Sequence, residues 1–173
     1  MTVESYLHKY AKIVVAAWLR KKIRLGSTFQ GLNNIPIAIN TPIGTPMYNV
    51  YTEYPVCLDK NDNSIVGLQC SWTDWLDKNN VQVHGKHNVP TFKELKDEHL
   101  KDKLKILYVF DIGIVDDGKL KYIFEIEHTS PCTDDKIKFI NDNKIIAYEL
   151  SAQKIMEQVK LPYCFEPSKK WNV

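Results

Sequence analysis

"VFDIGIVDDGKLKYIFEIEHTS", residues Val109–Ser130, reads as two strands around a turn. Asp116-Asp117-Gly118 suits a type I turn followed by a left-handed residue, a three-residue hairpin connection. That loop pairs Val115 with Lys119, Gly113 with Lys121, Asp111 with Ile123 and Val109 with Glu125. Because side chains alternate along a strand, Phe110, Ile112 and Ile114 then share an apolar face with Leu120, Tyr122, Phe124 and Ile126. Asp111, Glu125 and Glu127 fall on the opposite face, where apolar residues would cost less to bury. Diagonal neighbours across a strand pair lie roughly 7–8 Å apart, within which two carboxylates can reach one cation. A two-residue turn at Asp117-Gly118 is the alternative; it sets Asp111 opposite Phe124 and separates the carboxylates.

Around this hairpin the chain has the size and composition of one domain. Its 173 residues are 44% hydrophobic and 25% charged, with a net charge of +2, enough for a substantial core. A bulk electrostatic footprint for nucleic acid is absent, but positive charge gathers at "RKKIR", Arg20–Arg24, and at Lys169 and Lys170. Such clusters suit phosphates, or simply a solvated helix end, where cations are favoured. No apolar run approaches 20 residues, so no membrane span is expected. The four cysteines lack a CxxC pair. With no leader resembling a signal peptide, they read as reduced thiols of an intracellular protein.

A helix is expected from about Val3 to Arg24, capped by Thr2 and stopped at Gly26. Leu7, Ala11, Val14, Val15 and Trp18 form its apolar stripe, while Glu4, His8 and Lys12 line one edge at i, i+4, i+8. After an irregular stretch to Pro46, Tyr48–Leu58 reads as a strand and "IVGLQCSW" as a second, short one. Thr91 and Glu94 have capping-box spacing before a helical pattern. Beyond the hairpin, Thr133 or Asp134 caps a helix to about Asn141. "KIIAYEL", Lys144–Leu150, is a strand, and Ser151 caps a last helix to about Lys160. The order is αβββαβ with an appended helix, a single domain over 1–173 with an insertion at about 57–104.

That order, with Asp111 on one hairpin strand and Glu125-x-Glu127 on the next, resembles the PD-(D/E)xK nuclease superfamily. More narrowly, "ESYLHKYAKIVVAAWL" followed by "FDIGIVDDGKLKYIFEIEHTSPCTDDKIKFI" resembles the CoiA-like competence nucleases and their viral and phage relatives. The resemblance implies an α/β restriction-endonuclease-like αβββαβ core, a mixed sheet flanked by helices. It also implies hydrolysis of phosphodiester bonds, in DNA more than RNA, with Mg²⁺ or Mn²⁺. Asp111 and Glu125 would be the metal ligands and Glu4 the helix glutamate that joins them. Phe110 replaces the proline of the motif, and Glu127 stands where its lysine belongs. A lysine helps to position the attacking water and screens the charge of the transition state. Glu127 would therefore serve a second metal, Lys136 or Lys12 would supply the missing cation, or the site would bind without turnover. His8, Lys12, His128, Lys21 and Lys22 are the candidate nucleic-acid contacts, and a homodimer fits cleavage of both strands.

Other features favour structural readings. Glu53 can face the same cleft or only solvent. Cys57, Cys70, His84 and His87 lack the tight knuckles of a zinc site. Trp72 and Trp75 read as a satellite core in preference to a stacking platform. Cys132 and Cys164 have no histidine constellation to make them nucleophiles.

Overall fold

The computed structural model describes residues 6–24, 48–81, 89–90, 92–95, 98–116, 118–128, 131–158, 165 and 167–173. Helix α1 (Tyr6–Arg24) is followed by β1 (Tyr48–Asp59), β2 (Ile65–Val66), α2 (Trp72–Lys78) and the short helices α3 (Phe92–Leu95) and α4 (Glu98–Lys101). Then come β3 (Leu104–Asp116), β4 (Lys119–Glu127), α5 (Asp134–Asp142), β5 (Ile146–Ser151), α6 (Ala152–Glu157) and β6 (Lys169–Trp171). The fold is α/β, one mixed six-stranded sheet in the order β2-β1-β3-β4-β5-β6 flanked by helices. Only β4 and β5 run parallel; the other neighbours are antiparallel. That parallel pair needs a crossover, and α5 supplies it.

Two apolar clusters sandwich the sheet. On one side, Ala11, Val15, Trp18 and Leu19 of α1 and Ala152 and Ile155 of α6 pack on Ile112, Ile114, Phe124, Ile126 and Leu150. On the other, Trp72 and Trp75 of α2 and Phe139 and Ile140 of α5 pack on Tyr54, Phe110, Leu120, Ile123 and Ala147. Burying each such large apolar side chain contributes about 1.5–3 kcal/mol. Trp75 also donates to the buried Asp59 carboxylate at 2.8 Å, so both tryptophans belong to the core.

Local chemistry sets the element ends on the far side of the hairpin. Thr133 and Ser151 accept from Lys136 N–H and Lys154 N–H as the caps of α5 and α6, as their positions imply. The expected strand at "IVGLQCSW" is shorter, since only Ile65–Val66 is extended. From there Ser71 caps α2 by accepting from Asp74 N–H. The last helix stops at Glu157 with Gln158 as C-cap, and β6 was not foreseen. Thr2, Glu4, Gly26, the stretch before Pro46, His84, His87, Thr91, Thr129, Ser130, Cys164 and the side chain of Lys22 lie outside the described residues.

The hairpin register differs from expectation. Asp116 pairs with Lys119 and Val115 with Leu120, a two-residue connection in which Gly118 takes φ 75°, a conformation that favours glycine. Between Ile114↔Tyr122 and Val115↔Leu120, β4 carries one extra residue, Lys121. This bulge restores the alternation that a two-residue turn alone would have reversed. Gly113 therefore faces Ile123, and Ile112 faces Phe124. The bulge also sends Leu120 to the second cluster while Phe124 and Ile126 stay in the first.

A second irregularity crosses β1 and β3 together. Val50 and Ile112 belong to the α1 cluster, whereas Tyr54 and Phe110 belong to the opposite one. Thr52 pairs with Ile112 and Tyr54 with Phe110, so the alternation changes side between those two pairs. At that level Glu53 has φ 54°, outside the extended region. The residues at the switch are Glu53 and Asp111. Phe110 consequently does not share the face of Ile112, contrary to the expected single apolar surface.

Candidate active site

Backbone pairing between β3 and β4 ends at Ile112↔Phe124. One step further, side chains take over the ladder's hydrogen bonds. Asp111 N–H donates to Glu125 Oε2 at 2.7 Å, and Ile126 N–H donates to Asp111 Oδ2 at 2.8 Å. Each carboxylate thus holds the other strand's backbone, and the two acids meet in the opening. They are not held from one face, as the expected alternation implied. Asp111 is gripped from α1, while Glu125 is gripped from α5 on the other side of the sheet.

From α1, His8 and Lys12 converge on Asp111. His8 Nε2 lies 2.7 Å from Ile126 O and 3.3 Å from Asp111 Oδ2. Since a carbonyl only accepts, Nε2 carries the proton. Lys12 sits on the buried side of α1 with its side chain 6% exposed, 3.5 Å from Asp111 Oδ1 and paired with Glu53. Glu53, half exposed, does face this cleft. Burial works against the charge on Asp111, but the His8 hydrogen bond, the Ile126 amide and Lys12 together hold its carboxyl below the usual range. The hydrogen bond to Asp111 outweighs burial at His8 and raises its pKa above 6.5.

From α5, Lys136 places Nζ 2.6 Å from Glu125 Oε1 and 5.3 Å from the centre of the Phe110 ring. The Thr133 cap sets the start of α5, and one turn later Lys136 projects back to the sheet. Phe110 gives the ammonium an aromatic face. Burial, and then the neighbouring Asp111 charge, push the Glu125 carboxyl up to about 7 in spite of Lys136.

One buried acidic side chain beside this cluster escaped sequence reading. Glu149 of β5 is in register with Glu125 and fully buried. Its Oε2 accepts from Cys132 N–H at 2.7 Å, directly before the α5 cap, and its Oε1 lies 3.5 Å from Lys169 Nζ on β6. Acidic residues therefore occupy neighbouring positions on β1, β3, β4 and β5, each facing a lysine. The available signal was a lone glutamate in an otherwise apolar strand that follows a crossover helix; such strands are buried on both faces.

The remaining candidates do not join this cluster. Glu127, half buried at the end of β4, makes no ion pair among the described residues, so nothing places it as a ligand of a second metal. His128 and Lys21 are exposed. Cys57, Cys70 and Cys132 are free thiols, and burial pushes Cys57 and Cys132 up to about 12. They are poor nucleophiles at neutral pH.

Among the described residues, no group of three or more His, Cys, Asp or Glu side chains is placed to hold a metal ion. Mg²⁺, however, commonly takes only one or two carboxylates and keeps waters and substrate phosphates as its other ligands. Asp111 and Glu125 are hard oxygen donors side by side, and Glu125 retains a proton toward neutrality because burial disfavours its charge and the Asp111 carboxylate adds to that. A cation can replace that proton. The donor set fits Mg²⁺ or Mn²⁺.

No helix among the described residues is long and apolar enough to cross a membrane. In comparisons with known proteins, no family model, no curated protein and no solved structure matches the chain.

Proposed function

We propose that the chain is a metal-dependent nuclease that hydrolyses phosphodiester bonds, with DNA as the first substrate to test. The observation that carries this reading is the meeting of Asp111 and Glu125 where the hairpin ladder opens, with Lys136 delivered onto Glu125 from the following helix. With β2 and the helices α2–α4 set aside as an insertion, the order α1-β1-β3-β4-α5-β5, in which β4 and β5 run parallel, supports a restriction-endonuclease-like core.

The roles follow from position. Asp111 and Glu125 would hold the divalent cation, which when bound supplies Lewis-acid polarisation of the phosphate. Lys136 stands in for the lysine that Glu127 replaces: its ammonium is fixed by Glu125 and backed by Phe110, and it screens charge on the phosphoryl oxygens. His8 and Lys12 hold Asp111 ionised and oriented. Glu149 fixes Cys132 and hence the start of the helix that carries Lys136.

A second reading has its own support. Two lysines and His8 already lie on the two carboxylates, as a site that binds nucleic acid or a protein without turnover would have. Incubation of the purified protein with plasmid, single-stranded DNA and RNA separates the two. The nuclease reading expects cleavage in Mg²⁺ or Mn²⁺, none in chelator or in Asp111→Ala, and a loss of about a hundredfold or more in Lys136→Met. Inactivity of the wild type on every substrate with both metals favours binding alone.

A further inference from the structure

Among the described residues, three of the four exposed large apolar side chains lie on the outward face of α1. Tyr6, Lys9, Tyr10, Ile13, Ala17 and Lys21 are all exposed, and at 3.6 residues per turn they fall on one stripe roughly 22 Å long. Tyr6 is 82% exposed, Tyr10 40% and Ile13 53%. The two tyrosine rings stack on each other, 6.1 Å between centres and 15° between planes. Residues Tyr6–Arg24 contain six Lys or Arg and no Asp or Glu, in a chain whose net charge is only +2. His8 and Lys12 lie on the opposite side of the same helix, at the carboxylates.

Charge decides among the occupants of such a face. A second copy of the chain would set one basic helix against another. Duplex nucleic acid would meet the lysines but offers no base faces to the tyrosines. An unpaired strand supplies both complements: phosphates for Lys9 and Lys21, and flat apolar bases for the stacked rings. We infer that the outer face of α1, centred on Tyr6 and Tyr10, is a platform for single-stranded nucleic acid, DNA or RNA. It takes nucleic acid as the partner from the nuclease reading and adds its strandedness and its path. The platform holds nucleotides flanking the scissile phosphate and not the reacting group itself.

Binding measured in chelator, where nothing is cut, tests the platform apart from hydrolysis. Fluorescence anisotropy with labelled 20-nucleotide oligothymidylate, 20-nucleotide oligouridylate and a 20-base-pair duplex should show a single strand bound more tightly than the duplex. The Tyr6→Ala/Tyr10→Ala protein should lose about tenfold or more of that affinity, while Tyr6→Phe/Tyr10→Phe, which keeps both ring faces, retains it. Lys9→Ala should flatten the salt dependence without changing the preference for single strands. The platform is overturned if the duplex binds as tightly, if no nucleic acid binds, if the alanine pair binds like wild type, or if polyglutamate competes as well as the oligonucleotide. It is equally overturned if sedimentation finds a dimer that the alanine pair dissolves. Failure of the nuclease reading would instead leave binding intact, with no cleavage on addition of metal.

Discussion

The two halves of the β3–β4 hairpin solve the same pairing problem differently. Near the turn, from Ile112↔Phe124 to Asp116↔Lys119, backbone bonds join the strands and apolar side chains fill both faces. Beyond Ile112 the ladder gives way to two carboxylates that accept the amides themselves. The first half derives its stability from packing. The second places acidic groups that need counter-charges from α1 and α5, and it has the chemistry of a site. Packing and buried charge are divided along one hairpin, within a few residues.

The sharpest way to break this comparison is to remove the packing. Phe124 is fully buried and stacks on Tyr148 at 5.2 Å, so Phe124→Ala should cost about 3–5 kcal/mol in denaturant unfolding. Asp111→Asn should cost far less in the same assay while removing activity. If Phe124→Ala changed stability by only a few tenths of a kcal/mol, the near half would not be core.

Much of this was legible beforehand. Thr133 and Ser151 announced α5 and α6, because a hydroxyl that caps orphan amides acts locally. The stripe of α1 was also readable, whereas His8 and Lys12 were singled out as contacts to nucleic acid, or Lys12 as a stand-in cation, and not as partners of Asp111. The register was not readable, because the bulge at Lys121 depends on how the whole strand satisfies two cores at once. Nor was the change of side at Glu53 and Asp111: nothing in "YNVYTEYP" marks Glu53 for a left-handed conformation. Glu149 was passed over, although a parallel strand buried on both faces leaves no solvent side for a carboxylate.

Glu149 offers the next largest effect. Glu149→Leu leaves Cys132 N–H without its acceptor and Lys169 without its partner, and should cost about 1–3 kcal/mol. Glu149→Gln should lose less, since its amide oxygen still accepts. Equal losses in urea unfolding would show that the charge, and not the hydrogen bond to Cys132, is what matters.

A smaller effect lies in the pH dependence of the metal-free protein. Glu125 is raised from 4.5 to about 7 on folding, so between those values the folded state binds more protons than the unfolded one, and stability falls as pH rises. His8, raised above 6.5, acts in the same direction: its contribution is complete below 6.5 and is lost as pH passes its folded value. Asp111, lowered from 3.8, contributes above that value and loses its contribution only as pH falls through its lower folded pKa. Thermal unfolding in chelator should therefore show stability declining from about pH 5 to above pH 7. In Glu125→Gln the slope should be shallower; an unchanged slope would mean that Glu125 does not hold the proton.

Calorimetric titration with Mn²⁺ tests most directly whether Asp111 and Glu125 act as one cation site. The wild type should bind the ion, with more protons released to buffer at pH 6 than at pH 8 because the ion displaces the proton on Glu125. Asp111→Asn and Glu125→Gln should each abolish that binding while remaining folded. Undiminished Mn²⁺ binding in both variants, or a folded wild type that binds no Mn²⁺ at either pH, would contradict it.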